Sequence, residues 1–170
     1  MLKRITLVML TIASITFVSA HGQEAAIKAV PVTYDGLKQE ILKHRGKVVV
    51  LDFWSTTCPP CIKSFPRFIE MQQKHGDKGL VVISVSLDDA KDEERVDGAN
   101  KMLTRLKSPL RNLIYDDKFD YLKKLDYEGL PFYYVFDRQG KWVRYRGLDY
   151  KDGVPYDELE SVAVRMLSEK

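Results

Sequence analysis

The chain has 170 residues, 27 of them lysine or arginine against 24 aspartates and glutamates, and 45% of them hydrophobic. The net charge of +3, less the two charges of Lys3 and Arg4 in the leader described below, becomes +1 and gives no basic footprint for nucleic acid. Two cysteines are too few for a disulfide-stapled scaffold or a four-thiolate zinc site, and the length suits one domain with a sizeable core.

Met1 to Arg4 is short and positive, Ile5 to Val18 is mostly apolar, and Val18-Ser19-Ala20 offers small residues for cleavage. This pattern predicts a secretory signal over residues 1–20, cut after Ala20, with a single domain over 21–170 and a periplasmic or secreted location. An uncleaved membrane anchor is the alternative, although the apolar run is short of the roughly 20 residues a spanning helix needs. His21 to Val32 reads as a lead-in with a short edge strand at Ala26 to Val30. Tyr34 to His44 has helical spacing and stops at Gly46. Lys47 to Phe53 is aliphatic without alternation, as expected of a strand buried on both faces. Cys58 to His75 is helical in spacing, and Gly79 to Leu87 is a second continuous strand. Strand, helix and strand of this kind form a parallel unit.

Asp88 to Asp97 is densely charged and reads as a solvated loop entering a helix that runs to Leu106. Asn112 to Asp116 is a short strand and Lys118 to Leu125 a short helix. Gly129-Leu130-Pro131 is a turn. Phe132 to Phe136 and Trp142 to Tyr145 flank Asp137-Arg138-Gln139-Gly140 as a hairpin. Pro155 to Leu167 is a closing helix whose apolar stripe is Leu159, Val162, Ala163 and Met166.

Both cysteines lie in Trp54-Ser55-Thr56-Thr57-Cys58-Pro59-Pro60-Cys61, at the junction of a buried strand and a helix. A thiol at a helix N-terminus is stabilised as thiolate by free amides and the helix dipole. Cys58 is therefore the expected attacking thiol and Cys61 the resolving one. A disulfide over so small a loop restrains the unfolded chain little, so a structural staple is a poor explanation. Pro59 and Pro60 suit a first helical turn but supply no N–H, which leaves the Cys61 amide as the leading donor to the Cys58 sulfur. Asp52 interrupts the apolar strand. Buried, it would have a raised pKa and could accept the Cys61 proton; facing solvent, it would do neither. Trp54 is either a core anchor or a wall of the reactive surface. His21, His44 and His75 have no spacing that joins the cysteines, so no metal and no cofactor is expected. The aromatic character around Pro131, in Phe132 and Tyr133, leaves room for peptide binding.

These landmarks resemble the thioredoxin-like superfamily, and more narrowly its TlpA- and ResA-type extracytoplasmic thiol–disulfide oxidoreductases. Phe53-Trp54-Ser55-Thr56-Thr57-Cys58-Pro59-Pro60-Cys61 is similar to their Phe-Trp-Ala-Thr-Trp-Cys-x-x-Cys signature, with Thr57 replacing the second tryptophan. Gly129-Leu130-Pro131 matches their glycine-hydrophobic-proline turn, in which the proline is cis and faces the dithiol. The resemblance implies an α/β fold: a central mixed sheet flanked by helices, with a helix and strand inserted between the βαβ half and the C-terminal hairpin. It implies a protein disulfide reductase in which Cys58, Cys61 and Asp52 are catalytic. Trp54, Pro59, Leu130, Pro131 and Phe132 are the candidates for contact with substrate. The implied partners are protein disulfides or dithiols and a membrane thiol donor, with the mature domain soluble and monomeric. A disulfide oxidase or isomerase on the same fold is the alternative, followed by a non-catalytic peptide-binding or chaperone module.

Overall fold

Two aliphatic runs form the centre of the sheet. In the computed structural model, which describes residues 25–117, 121–151 and 153–169, β2 (Val48–Trp54) is buried at every position and pairs in parallel with β3 (Leu80–Ser86). The helix α2 (Pro59–His75) connects them. The chain begins with β1 (Val30–Val32) and α1 (Tyr34–Leu42), the latter capped by the Thr33 side chain, which accepts from the Gly36 amide. After β3 come α3 (Glu93–Arg105), β4 (Arg111–Tyr115) and the short α4 (Tyr121–Lys124). The hairpin β5 (Phe132–Phe136) and β6 (Trp142–Arg146) precedes α5 (Tyr156–Ser168).

The six strands are ordered β1-β4-β3-β2-β5-β6. The first four run parallel to one another, while β5 pairs antiparallel with both β2 and β6. This is the mixed sheet that the resemblance implies, with α3 and β4 as the inserted helix and strand. Alternation along β2 sorts its side chains onto two faces. Val48, Val50 and Trp54 pack with Phe65 and Phe68 of α2, Leu103 of α3 and Leu159 of α5. Val49, Leu51 and Phe53 pack on the opposite face with Leu37 of α1, Leu125 and Phe132.

The edge strand lies later than the Ala26–Val30 predicted. The Ile27 amide donates to Thr104 Oγ1 at 2.9 Å and the Ala29 amide to Asn100 Oδ1 at 2.8 Å, so α3 takes the donors that a ladder would need. Pairing starts only at Val30, opposite Leu113. The charged run also divides. Asp92 caps α3 by accepting from the Glu94 and Arg95 amides, whereas Asp88 is buried rather than solvated. The predicted signal over 1–20, residues 118–120 of the predicted Lys118–Leu125 helix and His21 lie outside the described residues. Among the described residues, no helix is long and apolar enough to cross a membrane.

Candidate active site

The dithiol sits where β2 gives way to α2. Trp54 anchors the end of the strand: its Nε1 donates to Ser84 Oγ at 2.8 Å and its ring meets Phe65 edge-on at 5.4 Å. A tight turn follows, closed by the Cys58 amide donating to the Ser55 carbonyl at 3.2 Å. Cys58 is the N-cap of α2, with extended backbone, and its Sγ accepts from the Cys61 amide at 3.3 Å. Because prolines occupy the two positions between, the Cys61 N–H is the first amide the helix can offer. The two sulfurs are joined in a disulfide at 2.03 Å, with Cys58 7% exposed and Cys61 1%.

Asp52 lies on the sheet face that carries Val50 and Trp54, the face covered by α2 and Cys61. It is 1% exposed and neither carboxylate oxygen has a hydrogen-bond partner. Burial alone holds its pKa well above the ordinary carboxylate range. Ser84 and Tyr133 are its cross-strand neighbours. The Tyr133 phenol is also pushed up, first by burial and then by the Asp52 and Tyr156 charges, so it stays protonated. Its hydroxyl lies 2.8 Å from the Tyr156 hydroxyl and 3.4 Å from Ser64 Oγ.

A groove of about 720 Å³ opens beside the dithiol, lined by Pro60, Lys63, Leu130, Pro131, Leu148 and Tyr156 among others. The Leu130–Pro131 bond is cis. The Pro131 carbonyl accepts from the Gly147 amide at 2.7 Å. A Cβ on Gly147 would lie 2.9 Å from Pro131 Cδ and 3.0 Å from its carbonyl oxygen, so only glycine fits that approach.

Two predicted contact residues are elsewhere. Trp54 is fully buried as a core anchor, and Phe132 is 2% exposed, stacked on Phe53 at 4.3 Å. Tyr133 is buried too. Inward alternation in β2 and β5 turns these rings into the two core layers. Pro59 is exposed, Leu130 is half-buried, and it is Pro60 that lines the groove. His44 follows α1, and His75 ends α2 with Nε2 3.2 Å from Glu160 Oε1. Among the described residues, no three His, Cys, Asp or Glu side chains converge as a metal site.

The sequence reading missed a group on the other side of the dithiol. Asp88 is 5% exposed and accepts from the Thr56 amide at 2.9 Å, from Thr56 Oγ1 at 2.6 Å and from Ser86 Oγ at 2.7 Å. The signal was the alternation of small polar residues, Ser84, Ser86 and Asp88, along a strand read as uniformly apolar.

Residues 46–142 match the thioredoxin-like family. The chain is 30% identical over 126 residues to the thiol–disulfide oxidoreductase ResA of Bacillus thuringiensis subsp. konkukian, covering 72% of this chain and 67% of the relative. It superposes on the crystal structure of a putative thiol:disulfide interchange protein DsbE from Chlorobium tepidum with a TM-score of 0.59 and 30% identity, over 75% of this chain and 84% of that one. The thioredoxin domain of a thiol–disulfide oxidoreductase from Bacteroides vulgatus gives 0.55 and 27%, over 82% and 94%.

Proposed function

The chain belongs to the thioredoxin-like family, among the thiol–disulfide oxidoreductases of the TlpA and ResA type, and from that premise we propose that it reduces protein disulfides outside the cytoplasm. The carrying observation is the Cys58–Cys61 pair at the start of α2, with the Cys61 N–H aimed at the Cys58 sulfur.

In the reduced protein, the Cys58 thiolate attacks one sulfur of a substrate disulfide. The substrate S–S bond breaks, a mixed disulfide forms, and the departing substrate sulfur takes a proton from solvent. Cys61 then gives its proton to Asp52 and attacks Cys58 Sγ. The second substrate sulfur leaves as a thiolate and takes a proton from solvent, and the enzyme holds the intramolecular disulfide. Asp52 is suited to this step because burial raises the proton affinity of its carboxylate, and it lies on the same sheet face as Cys61. Pro60, Leu130 and Pro131 form the wall against which an extended substrate chain docks. A membrane thiol donor returns the oxidised pair to the dithiol. Residues 1–20 act as a cleaved signal, and residues 21–170 work as one soluble, monomeric domain.

Insulin reduction by the wild type and by Cys58→Ser tests the reading. Wild-type turnover with background rates in the variant is expected; background rates in both overturn it. Equilibration with glutathione tests direction. A midpoint well below about −180 mV supports the reductase, and one near about −120 mV replaces it with an oxidase. Amino-terminal sequencing of the exported protein tests the cut after Ala20.

A further inference from the structure

The turn that presents Cys58 is tied down at one residue. The bonds of its neighbours stay local: Ser55 Oγ and Thr57 Oγ1 lie 3.2 Å apart, and the Cys58 amide returns to the Ser55 carbonyl. Those of Thr56 cross to the end of β3, where the Asp88 carboxylate takes both its amide and its hydroxyl. Asp88 is itself held, since Ser86 Oγ donates to its carboxylate at 2.7 Å and accepts from its amide at 3.1 Å. On the far side, α3 closes against the same residue. A Cβ on Gly98 would stand 3.6 Å from Thr56 Cγ2, and Thr56, Ile62, Gly98 and Met102 line a cavity of about 350 Å³ between α2 and α3.

We propose that Asp88 is a positioning residue for the attacking thiol: it pins Thr56, and through Thr56 the turn that keeps Cys58 at the N-terminus of α2. The inference rests on Cys58 being the attacking thiol. The helix end stabilises a thiolate only within its first turn, and the Cys61 amide reaches the Cys58 sulfur at 3.3 Å. A turn free to drift carries the sulfur out of reach of both. The Asp88 charge by itself acts in the opposite sense, because a nearby anion disfavours a thiolate. Positioning and charge therefore predict opposite results when the carboxylate is neutralised. Lys63 and Arg67 in α2 and Lys101 and Arg105 in α3 line the pockets near this corner, and the variants below leave them, and the buried Asp52 of β2, in place.

The experiment is the pH profile of Cys58 alkylation by iodoacetamide in the reduced full chain, with the modified residue identified by mass spectrometry. Thr56→Val keeps every charge and deletes one bond to Asp88. It should displace the profile to higher pH and slow alkylation at pH 7 by roughly 3- to 10-fold, the scale of one ordinary net hydrogen bond. Thr56→Ser restores the hydroxyl and should overlay the wild type. Asp88→Asn should also displace the profile to higher pH. A Thr56→Val profile that overlays the wild type overturns the inference, as does an Asp88→Asn profile displaced to lower pH. Should Asp88→Asn fail to fold, the two Thr56 variants decide the matter alone. Wild-type protein alkylated first at Cys61 overturns the proposed chemistry, a result distinct from normal Cys58 selectivity with unmoved profiles.

Discussion

Asp52 and Asp88 are both buried carboxylates beside one dithiol, and they are opposites. Asp52 is 1% exposed with no hydrogen bond to either oxygen, while Asp88 is 5% exposed with Thr56 and Ser86 donating to both. Burial without partners raises a carboxylate's affinity for a proton, which equips Asp52 to accept one at a cost in stability. Burial with partners turns Asp88 into a fastening for the chain. Depth alone therefore says nothing about a buried acid's role; its donors do.

Removing the fastening should have the largest effect on stability. Asp88→Ala leaves the Thr56 and Ser86 donors without their acceptor and should cost about 2–4 kcal/mol in urea unfolding of the oxidised protein. A variant as stable as the wild type would erase the contrast.

Asp52→Asn should move stability the other way, by on the order of 1–2 kcal/mol at pH 8, because the unpartnered carboxyl whose raised proton affinity weakens the fold at that pH is gone. The sign follows from linkage. The folded pKa of Asp52 is raised above the ordinary 3.8, so the folded state holds the proton longer than the unfolded one does. The wild type thus loses stability as pH rises from about 3.8 through the raised value, and the full penalty stands above it. In Asp52→Asn that decline should flatten in pH-dependent urea melts. The same variant should turn over insulin more slowly near neutral pH, and a pH–rate profile overlaying the wild type would remove Asp52 from the reaction.

The smallest effect belongs to a charge near the Asp88 side that fastens nothing. Lys101 pairs with Asp97 at 2.6 Å on the exposed face of α3. Lys101→Ala should leave both the urea midpoint and the alkylation profile of Cys58 in place. A displaced profile would mean that long-range charge, rather than the pinned turn, sets the thiol.

What could be read in the sequence was what neighbours in the chain decide. Cys58, the two prolines and Cys61 announce a helix N-terminus within four residues. The strands show in unbroken aliphatic runs, and the hairpin in Asp137 to Gly140. Asp88 escaped because its partner Thr56 lies 32 residues away and because the charged run that follows it dominates the local composition. Trp54 and Phe132 were open to two readings because an aromatic ring beside a reactive loop looks the same in sequence whether it faces in or out. Strand register decides that, and it sets Phe53 opposite Phe132 in the sheet. The edge strand was displaced for a similar reason, since the amides of Ile27 and Ala29 are claimed by side chains more than 70 residues on.

Gly147 is remote from both cysteines in the chain, yet its missing side chain is what lets the backbone close on Pro131. Every single-base change of a glycine codon that alters the residue installs a side chain or a stop. In a saturation-mutagenesis map scored by disulfide reduction, position 147 should therefore stand as an isolated column of intolerance, with exposed Leu148 beside it accepting a wide alphabet. A library built to retarget the groove gains its diversity from the second position and loses its functional members at the first.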